Sequence, residues 1–331
     1  MRFANNAGMD PIPARQTVGQ TRAGGPIFVV FNARSGKHDA EDDLITALHA
    51  IDRPHRLFTV GHGLSLRRAI AAAMAGAREQ DGVVVAAGGD GTINAVAQAV
   101  IAADLPFGIV PRGTFNYFGR LHGLPLDADE ALRVILGGRI RPVQVGVVNR
   151  RYFLVNASLG LYPKLIEDRE RFKRAYGRTR LVALWAGLLT LLRERRRMRI
   201  RIEAEEESGE DAQPGAARSL QTSTLFVGNN PLQLAEVGIP EARDVAAGKL
   251  AAISIKPVTR LEMIGLALRG ALGRLADADQ VVNFAFRRLE VAPIGRLGLA
   301  YVKVATDGET SWMRWPLTFA VSPRPLRLLV P

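Results

Sequence analysis

Residues 88–92, with the sequence GGDGT, have residue types and spacing suited to binding phosphate. They lie between a predicted apolar strand at 83–87 and a predicted helix at 92–103. Glycine lets the backbone approach a ligand closely, and a helix N-terminus offers unpaired N–H groups and the positive end of its dipole. The segment matches neither the Walker A motif nor the G-x-G-x-x-G motif of dinucleotide-binding folds. A plain glycine-rich turn, with Asp90 as a helix cap, is the alternative interpretation.

Two further loops follow predicted strands in the same half of the chain. Residues 111–116 (PRGTFN) come after the fourth strand and contain a glycine, a hydroxyl and an amide. Ligands of open α/β sheets bind at the carboxyl ends of the strands, so this loop and residues 88–92 are predicted to form one crevice. Residues 32–37 (NARSGK) follow the first strand, but taken alone they favour a basic surface turn.

Two carboxylates near the end of the chain have the spacing of a shared site. Asp307 and Glu309 occur in the sequence TDGET at 306–310. Side chains two positions apart on an extended segment point to the same face, so the pair can converge on a metal ion or on a reacting proton. Asp-Gly is also a leading signal for a type I′ hairpin turn, and from these residues alone the turn is the favoured interpretation.

The elements that must position these residues change character along the chain. The first half alternates helices with strands that are apolar throughout, which predicts a parallel sheet covered on both faces. After about residue 142 short strands and turns dominate, beginning with a hairpin at 143–155, which predicts antiparallel sheets. The other predicted strands are 27–31, 56–60, 83–87, 107–110, 225–227, 250–255, 289–291 and 301–304, and the predicted helices are 39–51, 65–77, 92–103, 127–137, 163–195 and 259–275.

The predicted fold class is therefore α/β, with an N-terminal doubly wound parallel-sheet domain for nucleotide binding and a C-terminal, mainly antiparallel β-sandwich domain. An acidic stretch that becomes rich in Gln, Pro, Gly and Ala, at 203–218, is interpreted as a mobile hairpin loop. The expected boundaries are a disordered leader at 1–25, a first domain at 26–142 with 322–331 as its candidate final segment, and a second domain at 143–321.

The composition limits the chemistry and the partners. The chain has no cysteine, which excludes disulfides, zinc thiolates and thiol nucleophiles, and its five histidines lack the spacing of a metal site. The net charge of +12 favours anionic partners such as nucleotide phosphates or an acidic membrane surface. Aromatic residues make up 6% of the chain and do not alternate with basic residues, so nucleic acid is not expected as a partner.

An apolar stretch at 181–192 is too short to span a bilayer. The arginine-rich residues 193–201 follow it and suit acidic lipid head groups. A core-packed helix that leads into a strand with a charged face is the favoured alternative.

Three motifs occur in the order N-x-x-S-G-K at 32–37, G-G-D-G-T-x-N at 88–94 and P-x-G-T-x-N at 111–116. In this they resemble the diacylglycerol kinase catalytic domain family, which includes bacterial lipid kinases and the sphingosine and ceramide kinases. The resemblance is strong over residues 26–142 and weaker through the second half. The family is distantly similar to NAD kinases.

The resemblance implies ATP and Mg²⁺ as cofactors and transfer of the γ-phosphate to the hydroxyl of diacylglycerol or a related lipid. It implies Glu309 as the general base, Asp307 as a metal ligand or orienting partner, and Asp90 as a metal-linked carboxylate. The sphingosine kinase branch gives the base role to the aspartate of the glycine-rich loop, so Asp90 and Glu309 both stay open for it. The nucleotide-binding residues that the resemblance implies are Asn32, Ser35, Gly36, Thr59, Gly88, Gly89, Asp90, Gly91, Thr92, Asn94, Gly113, Thr114 and Asn116.

A lipid substrate implies an approach to a membrane. We therefore expect a cytoplasmic protein that makes peripheral contact with the acidic inner membrane face; a homodimer stays open. Two alternatives also stay open, namely a nucleotide- or lipid-binding module with little catalysis, and a kinase of a soluble metabolite similar to NAD kinases.

The chain departs from the family pattern at two positions. Many members have an aspartate where this chain has Tyr117, and bacterial relatives hold a second Mg²⁺ with an aspartate where this chain has Ala247. Alanine has no side-chain oxygen, so the accessory metal site is expected to be absent. These changes leave the identity of the lipid open.

Overall fold

The first half of the chain forms a six-stranded sheet. The computed structural model describes residues 24–33, 40–61, 63–113, 116–160, 198–208, 216–295 and 300–331. The strands of this sheet are β1 (Ile27–Asn32), β2 (His55–Val60), β3 (Val83–Gly88), β4 (Pro106–Pro111), β5 (Arg139–Val143) and, from the end of the chain, β18 (Leu326–Val330). Their order is β2-β1-β3-β4-β18-β5, and every neighbouring pair is parallel except β18 with β5.

Helices cover both faces of this sheet. Alternate residues of one strand point to opposite faces, so Val29 and Val30 of β1 lie in two separate apolar clusters. One cluster includes buried side chains of α2 and α3 as defined below, and the other includes those of α1 and α5. The predicted parallel sheet between helical layers is therefore confirmed. The helices are α1 (Ala40–His49), α2 (Leu66–Glu79), α3 (Asp90–Ala103), α4 (Tyr117–Leu121) and α5 (Ala128–Gly137).

The second half of the chain forms two six-stranded antiparallel sheets. Their orders are β10-β9-β14-β17-β6-β7 and β13-β12-β11-β8-β15-β16. Buried side chains of both sheets, such as Phe284 in one and Phe319 in the other, form a single apolar core, as expected for the predicted sandwich. The strands are β6 (Gly146–Val148), β7 (Arg151–Phe153), β8 (Asn156–Gly160), β9 (Met198–Glu205), β10 (Arg218–Thr222), β11 (Thr224–Gly228), β12 (Leu250–Ile255), β13 (Val281–Phe286), β14 (Arg288–Pro293), β15 (Tyr301–Thr306), β16 (Glu309–Arg314) and β17 (Leu317–Val321), with helices α6 (Pro231–Glu236), α7 (Ala242–Ala246) and α8 (Arg260–Ala271).

Several predicted elements have different boundaries in the structure. Helix α3 begins at Asp90 instead of residue 92, which moves Asp90 and Gly91 from the loop into the first helical turn. The interpretation of 203–218 as a loop is wrong at both ends, because residues 203–205 continue β9 and pair with β14, and Arg218 begins β10. The predicted helix at 163–195, the apolar stretch at 181–192, most of the leader at 1–25 and part of the arginine-rich stretch lie outside the described residues.

The two halves of the chain are joined by side-chain contacts as well as by the chain itself. Gln98 on α3 donates from Nε2 to the carbonyl of Tyr152 at 2.8 Å and accepts from the Tyr152 N–H at 3.0 Å. This two-point contact fixes α3 against β7. Among the described helices, none is long and apolar enough to cross a membrane.

His122, at the end of α4, makes the stability of the first half depend on pH. Its ring packs edge-on against Phe118 with centroids 4.6 Å apart, and burial together with the charge of Arg141 lowers its pKa to about 3. The pKa of the unfolded residue is about 6.5, so below that pH the unfolded state binds a proton that the folded state does not. Stability is therefore fully present above about pH 6.5 and is lost as the pH falls toward the folded pKa.

We expect His122→Gln to reduce this acid sensitivity. In urea unfolding, protonation of His122 should lower the free energy of unfolding of the wild type by up to about 1.4 kcal/mol per pH unit between pH 6 and 4. The free energy of unfolding of the variant should fall correspondingly less over the same range. The measurement is the difference in the free energy of unfolding between the two proteins at each pH. A difference that does not change with pH would contradict the assignment.

Candidate functional site

The carboxyl ends of β1, β3 and β4 meet at one edge of the first sheet. Neighbouring parallel strands deliver their carboxyl ends to the same edge, and two contacts join the loops there. Asn32 Nδ2 donates to Thr92 Oγ1 at 2.9 Å, and the N–H of Arg112 donates to the carbonyl of Gly88 at 2.9 Å. Thr59 is paired with Phe31, so it lies next to the end of β1. Ser35, Gly36 and Thr114 lie outside the described residues.

The N-terminus of α3 has no side-chain cap. Its N-cap residue is Gly89, which has extended backbone dihedrals and makes no side-chain hydrogen bond. Gly88 is required for close packing, because a Cβ there would lie 2.9 Å from Thr92 Cβ and 3.0 Å from its Oγ1. The helix therefore presents its positive dipole end behind a loop without bulky side chains, an arrangement that suits a phosphate group.

Asp90, in the first turn of α3, is a partly buried carboxylate. Burial raises the pKa of its carboxyl, and hydrogen bonds from the backbone N–H groups of Asn116 and of Asp90 itself oppose that shift. Gly113 packs closely on it, since a Cβ there would lie 3.1 Å from Asp90 Oδ2. The loop after β4 therefore contacts the carboxylate directly.

Asn116 shapes the loop after β4 with its own side chain. It adopts positive φ, 47°, which asparagine tolerates better than most residues. Its Oδ1 accepts from the Gly113 N–H at 2.9 Å, and its Nδ2 donates to the Gly113 carbonyl at 2.8 Å. This side-chain amide thus holds the turn together.

Asp307 and Gly308 form the two-residue turn between β15 and β16. Both residues have positive φ, 47° and 86°, as a type I′ turn requires. The carboxylate of Asp307 also accepts three backbone hydrogen bonds, from the N–H groups of Leu154 (2.7 Å), Val155 (2.8 Å) and Asn156 (2.9 Å). The predicted turn is therefore confirmed, and within this turn Asp307 also lies beside the glycine-rich loop.

The carboxyl of Asp307 has an unusual pKa. Burial raises it to about 6, although the three N–H donors favour the charged form. The charge of Asp90 contributes a smaller increase. The two carboxylates, one from each half of the chain, thus interact electrostatically across the site.

Glu309 faces the first turn of α3. A Cβ built at Gly91 would lie 3.7 Å from Glu309 Oε1, which is ordinary contact distance. The other oxygen, Oε2, accepts from Arg151 Nη2 at 2.7 Å, and Arg151 Nε donates to Thr306 Oγ1 at 2.8 Å. This ion pair is partly exposed to solvent, so it contributes little to stability, but it fixes the direction of the Glu309 carboxylate.

Sequence reasoning missed Arg151 as a site residue. Arg151 falls within the hairpin predicted at 143–155, and β6 and β7 do form that hairpin. The only local signal was a basic pair at a strand end. The partner of Arg151 is 158 residues away in the sequence, so no spacing rule could have connected them.

Asn94, one turn further along α3, is buried and only half satisfied. Its Oδ1 accepts from Gln98 Nε2 at 2.9 Å. Its Nδ2 is buried and has no hydrogen-bond partner within the described part of the chain. A buried donor without a partner is costly, and a ligand or a water molecule at the crevice would satisfy it.

Tyr117, one of the two departures from the family pattern, has a partner in the second half of the chain. Tyr117 donates from its hydroxyl to Glu236 Oε2 at 2.9 Å, and Arg120 bonds the other oxygen of Glu236 at 3.1 Å. Near the other departure, Ala247, the side chain of Lys249 donates from Nζ to Ser208 Oγ at 2.9 Å. Among the described residues, no group of three or more acidic or histidine side chains is arranged to hold a metal ion.

Substitution of Gly88 tests the geometry of the glycine-rich loop. Gly88→Ala should lower the free energy of unfolding by about 1–3 kcal/mol, because the new methyl group displaces Thr92 and its hydrogen bond with Asn32. Gly137→Ala is the matched control, since nothing lies within 4 Å of a Cβ at that position. Urea unfolding of both variants checks the difference, and equal stabilities would show that the loop absorbs the methyl group.

Comparison with known proteins finds relatives of part of the chain. Residues 26–148 match the family model described as the diacylglycerol kinase catalytic domain. Diacylglycerol kinases from Staphylococcus aureus strains RF122 and MRSA252 are each 33% identical over 136 residues, which is 40% of this chain and 42% of the relative. The aligned part of the chain thus spans less than half of the length of these curated relatives.

Solved structures are similar over nearly the whole chain. A crystal structure of a diacylglycerol kinase from Bacillus anthracis matches 94% of this chain and 98% of its own, with a TM-score of 0.64 at 16% identity. A candidate diacylglycerol kinase from the same organism gives a TM-score of 0.68 at 17% identity, over 94% of this chain and 99% of its own. Identities this low establish the fold alone. Over residues 26–148, the chain is thus similar to the diacylglycerol kinase catalytic domain family.

Proposed function

We propose that this protein is an ATP-dependent lipid kinase, which transfers the γ-phosphate of ATP to the hydroxyl of diacylglycerol or a related lipid. The family match and the relatives named diacylglycerol kinase support a kinase with a lipid alcohol as acceptor. The observation that carries the proposal is the position of Glu309 Oε1 opposite Gly91. A carboxylate from the second half of the chain thereby faces the phosphate-binding turn of the first half.

The nucleotide would lie at the carboxyl edge of the first sheet. The uncapped N-terminus of α3 and the glycines at 88–91 suit its phosphates, because backbone N–H groups and the helix dipole both favour negative charge there. Asn94 Nδ2, which has no hydrogen-bond partner among the described residues, offers a further donor at the same helix. Asn32, Thr59, Gly113, Thr114 and Asn116 belong to this proposed crevice, together with Ser35 and Gly36.

Asp90 and Asp307 fit a divalent cation. Mg²⁺ is usually held by one or two carboxylates together with phosphate oxygens and water, and the two carboxylates interact across the site. When bound, the cation would neutralise charge on the phosphate oxygens during transfer. Asp307 already accepts three N–H bonds, which hold its carboxylate in one orientation.

Glu309 is the proposed proton acceptor. The lipid hydroxyl oxygen forms a bond to the γ-phosphorus as the bond from that phosphorus to the β–γ bridging oxygen breaks, and ADP leaves. The hydroxyl proton passes to Glu309 Oε1, which is the oxygen that Arg151 leaves free. Asp90 is the other candidate for this role, since burial raises the pKa of its carboxyl.

Substitution of the two carboxylates separates these roles. Glu309→Gln should reduce kcat for lipid phosphorylation by about 100-fold or more while ATP binding is retained, because a general base contributes at least that much. The assay follows labelled γ-phosphate from ATP, with Mg²⁺, into a panel of hydroxyl lipids in mixed micelles. Glu290→Gln, an exposed change on β14, is the control.

The outcome with Asp90→Asn decides between the two candidates. Loss of ATP and Mg²⁺ affinity would assign Asp90 to the metal, whereas loss of kcat alone would assign it as the base. Full activity of both Glu309→Gln and Asp90→Asn would overturn the site. No labelled lipid with intact ATP binding would favour a soluble acceptor or a binding module.

Arg151 is a proposed positioning residue that acts through Glu309. Arg151→Gln should lower kcat by roughly 10- to 100-fold with little change in the Kd for ATP, because Glu309 loses its fixed orientation. Arg151→Lys should recover part of the activity, since a lysine can contact Glu309 but cannot also bond Thr306 in the same geometry. Arg150→Gln, at the exposed neighbouring position, is the control. Equal loss in the Arg150 and Arg151 variants would contradict a specific role.

A further inference from the structure

Helix α8 packs on the second half of the chain through one side and exposes leucines on the other. Leu266 is buried and belongs to the apolar cluster that includes residues of α6 and β12. Leu261, Leu268 and Leu272, the last of which is the C-cap residue, are 81%, 61% and 75% exposed. We call these three exposed residues the leucine stripe.

The leucine stripe is continuous and points away from the protein. Successive residues of an α-helix are rotated by about 100°, so residues seven or eleven positions apart lie almost in line, as Leu261, Leu268 and Leu272 do. Leu266 is rotated by about 140° from Leu261, which places the buried anchor nearly opposite the stripe. A helix that is apolar on opposite sides is typical of a buried element. The stripe is therefore suited to a partner that covers the exposed side.

Two exposed side chains of opposite charge flank the leucine stripe. Glu262 and Arg269 are also seven residues apart, so they lie almost in line on one side of the stripe. They are about 10 Å apart along the helix axis, which is too far for an ion pair within the helix. Glu262 Oε2 accepts from the Thr259 N–H at 2.7 Å, and its other oxygen is not part of that cap. Arg269 Nη1 donates to the Asp277 carbonyl at a long distance of 3.4 Å.

We propose that the leucine stripe is the interface of a homodimer, in which the α8 helices of two copies of this chain pack antiparallel. A two-fold axis that lies between the helices, perpendicular to both, makes every contact reciprocal. The charged flank of one helix then faces the same flank of the other, with the positions reversed along the axis. Glu262 therefore lies opposite the partner's Arg269, and Arg269 lies opposite the partner's Glu262.

The middle of α8 allows this close approach. The midpoint between Glu262 and Arg269 falls beside Gly265, and nothing lies within 4 Å of a Cβ at that position. The leucines of the two copies would meet on the same side of the helices and lose their contact with water, which is the main driving force of such an association. This inference concerns a surface that the proposed function does not use, so it goes beyond that function.

A lipid bilayer is the other occupant that an exposed leucine stripe can fit. Helices that lie in a membrane interface carry a polar face rich in lysine and arginine. Among the exposed charged residues at 261–279, the basic residues do not outnumber the acidic ones: they are Arg269 and Arg274 against Glu262, Asp277 and Asp279. An acidic membrane surface repels these carboxylates, whereas a second copy pairs one of them with an arginine. Charge complementarity therefore favours a second copy.

The first test measures the mass of the full-length protein by sedimentation equilibrium. At about 0.15 M salt, most of the repulsion between two chains of net charge +12 is screened. We expect a dimer with a roughly micromolar Kd, because one helix pair forms a small interface. Leu261→Ser with Leu268→Ser should raise that Kd by about 100-fold or more, since the dimer loses four buried leucines. Leu126→Ser, at a 62% exposed leucine in the first half of the chain, is the control and should leave the Kd unchanged.

Charge reversal tests the reciprocal pairing. Arg269→Glu and Glu262→Lys should each raise the Kd for dimerisation by roughly 10-fold, because like charges then face each other at two places in the dimer. In an equimolar mixture of the two variants, both contacts are again between opposite charges, so the mixed dimer should recover the affinity of the wild type. Because Glu262 also belongs to the cap of α8, circular dichroism and thermal unfolding check that each variant is folded.

The outcomes separate a second copy from the other occupants. A weakened leucine variant together with a recovered mixed dimer supports the interface, whether or not the protein phosphorylates a lipid. A wild type that stays monomeric up to roughly 100 µM would overturn it, as would a leucine variant with the wild-type Kd or a mixture that dimerises no more tightly than its components.

Two further measurements on a monomeric wild type would reassign the leucine stripe. Binding to phosphatidylglycerol vesicles that the leucine variant loses would assign the stripe to a bilayer. A lower unfolding temperature of the leucine variant, without vesicle binding, would assign it to another part of the same chain.

Discussion

The carboxylate of Asp307, held by three consecutive backbone N–H groups, is the interaction on which the geometry of the site depends. Burial of a carboxylate costs free energy unless it is hydrogen-bonded. The N–H groups of residues 154–156 offset that cost only when the Asp307 carboxylate lies within reach of all three. The β15–β16 turn is thereby fixed against the segment that joins β7 to β8. Strand pairing then sets the face of every following residue, so Glu309 points toward α3 and Trp312 points outward.

The candidate site is formed by residues from both halves of the chain, and a small number of side-chain contacts hold the two halves together. Gln98 holds α3 against Tyr152 through one donated and one accepted hydrogen bond. The neighbour of Tyr152 in β7 is Arg151, which orients Glu309. The helix that carries Asp90 is therefore tied to the strand that positions the opposing carboxylate. Such an arrangement suits transfer chemistry, in which reacting groups must be held within fractions of an ångström.

Local patterns in the sequence predicted the parallel sheet, the antiparallel sheets and the loops at the sheet edge, because strand and turn signals are short-range. They did not give the start of α3 at Asp90, since glycines are poor helix formers. They also treated the turn and the site at Asp307 as alternatives, whereas the turn itself places Asp307 within electrostatic reach of Asp90. Arg151 was not predicted as a site residue because it contacts Glu309 only in the folded structure, and such a tertiary contact leaves no local pattern in the sequence.

Tyr117, which follows the loop after β4, connects that loop to the second half of the chain. Its hydroxyl and the Arg120 guanidinium both bond Glu236, at the end of α6 in the second half of the chain. An aspartate at this position could not donate a hydrogen bond to a carboxylate, so the contact depends on the tyrosine. The negative charge at the crevice then comes from Asp90 and Asp307, whose mutual repulsion contributes to the raised pKa of Asp307. A cation between them would relieve that repulsion, and it would thereby favour the same alignment of the two halves that Gln98 and Tyr117 support.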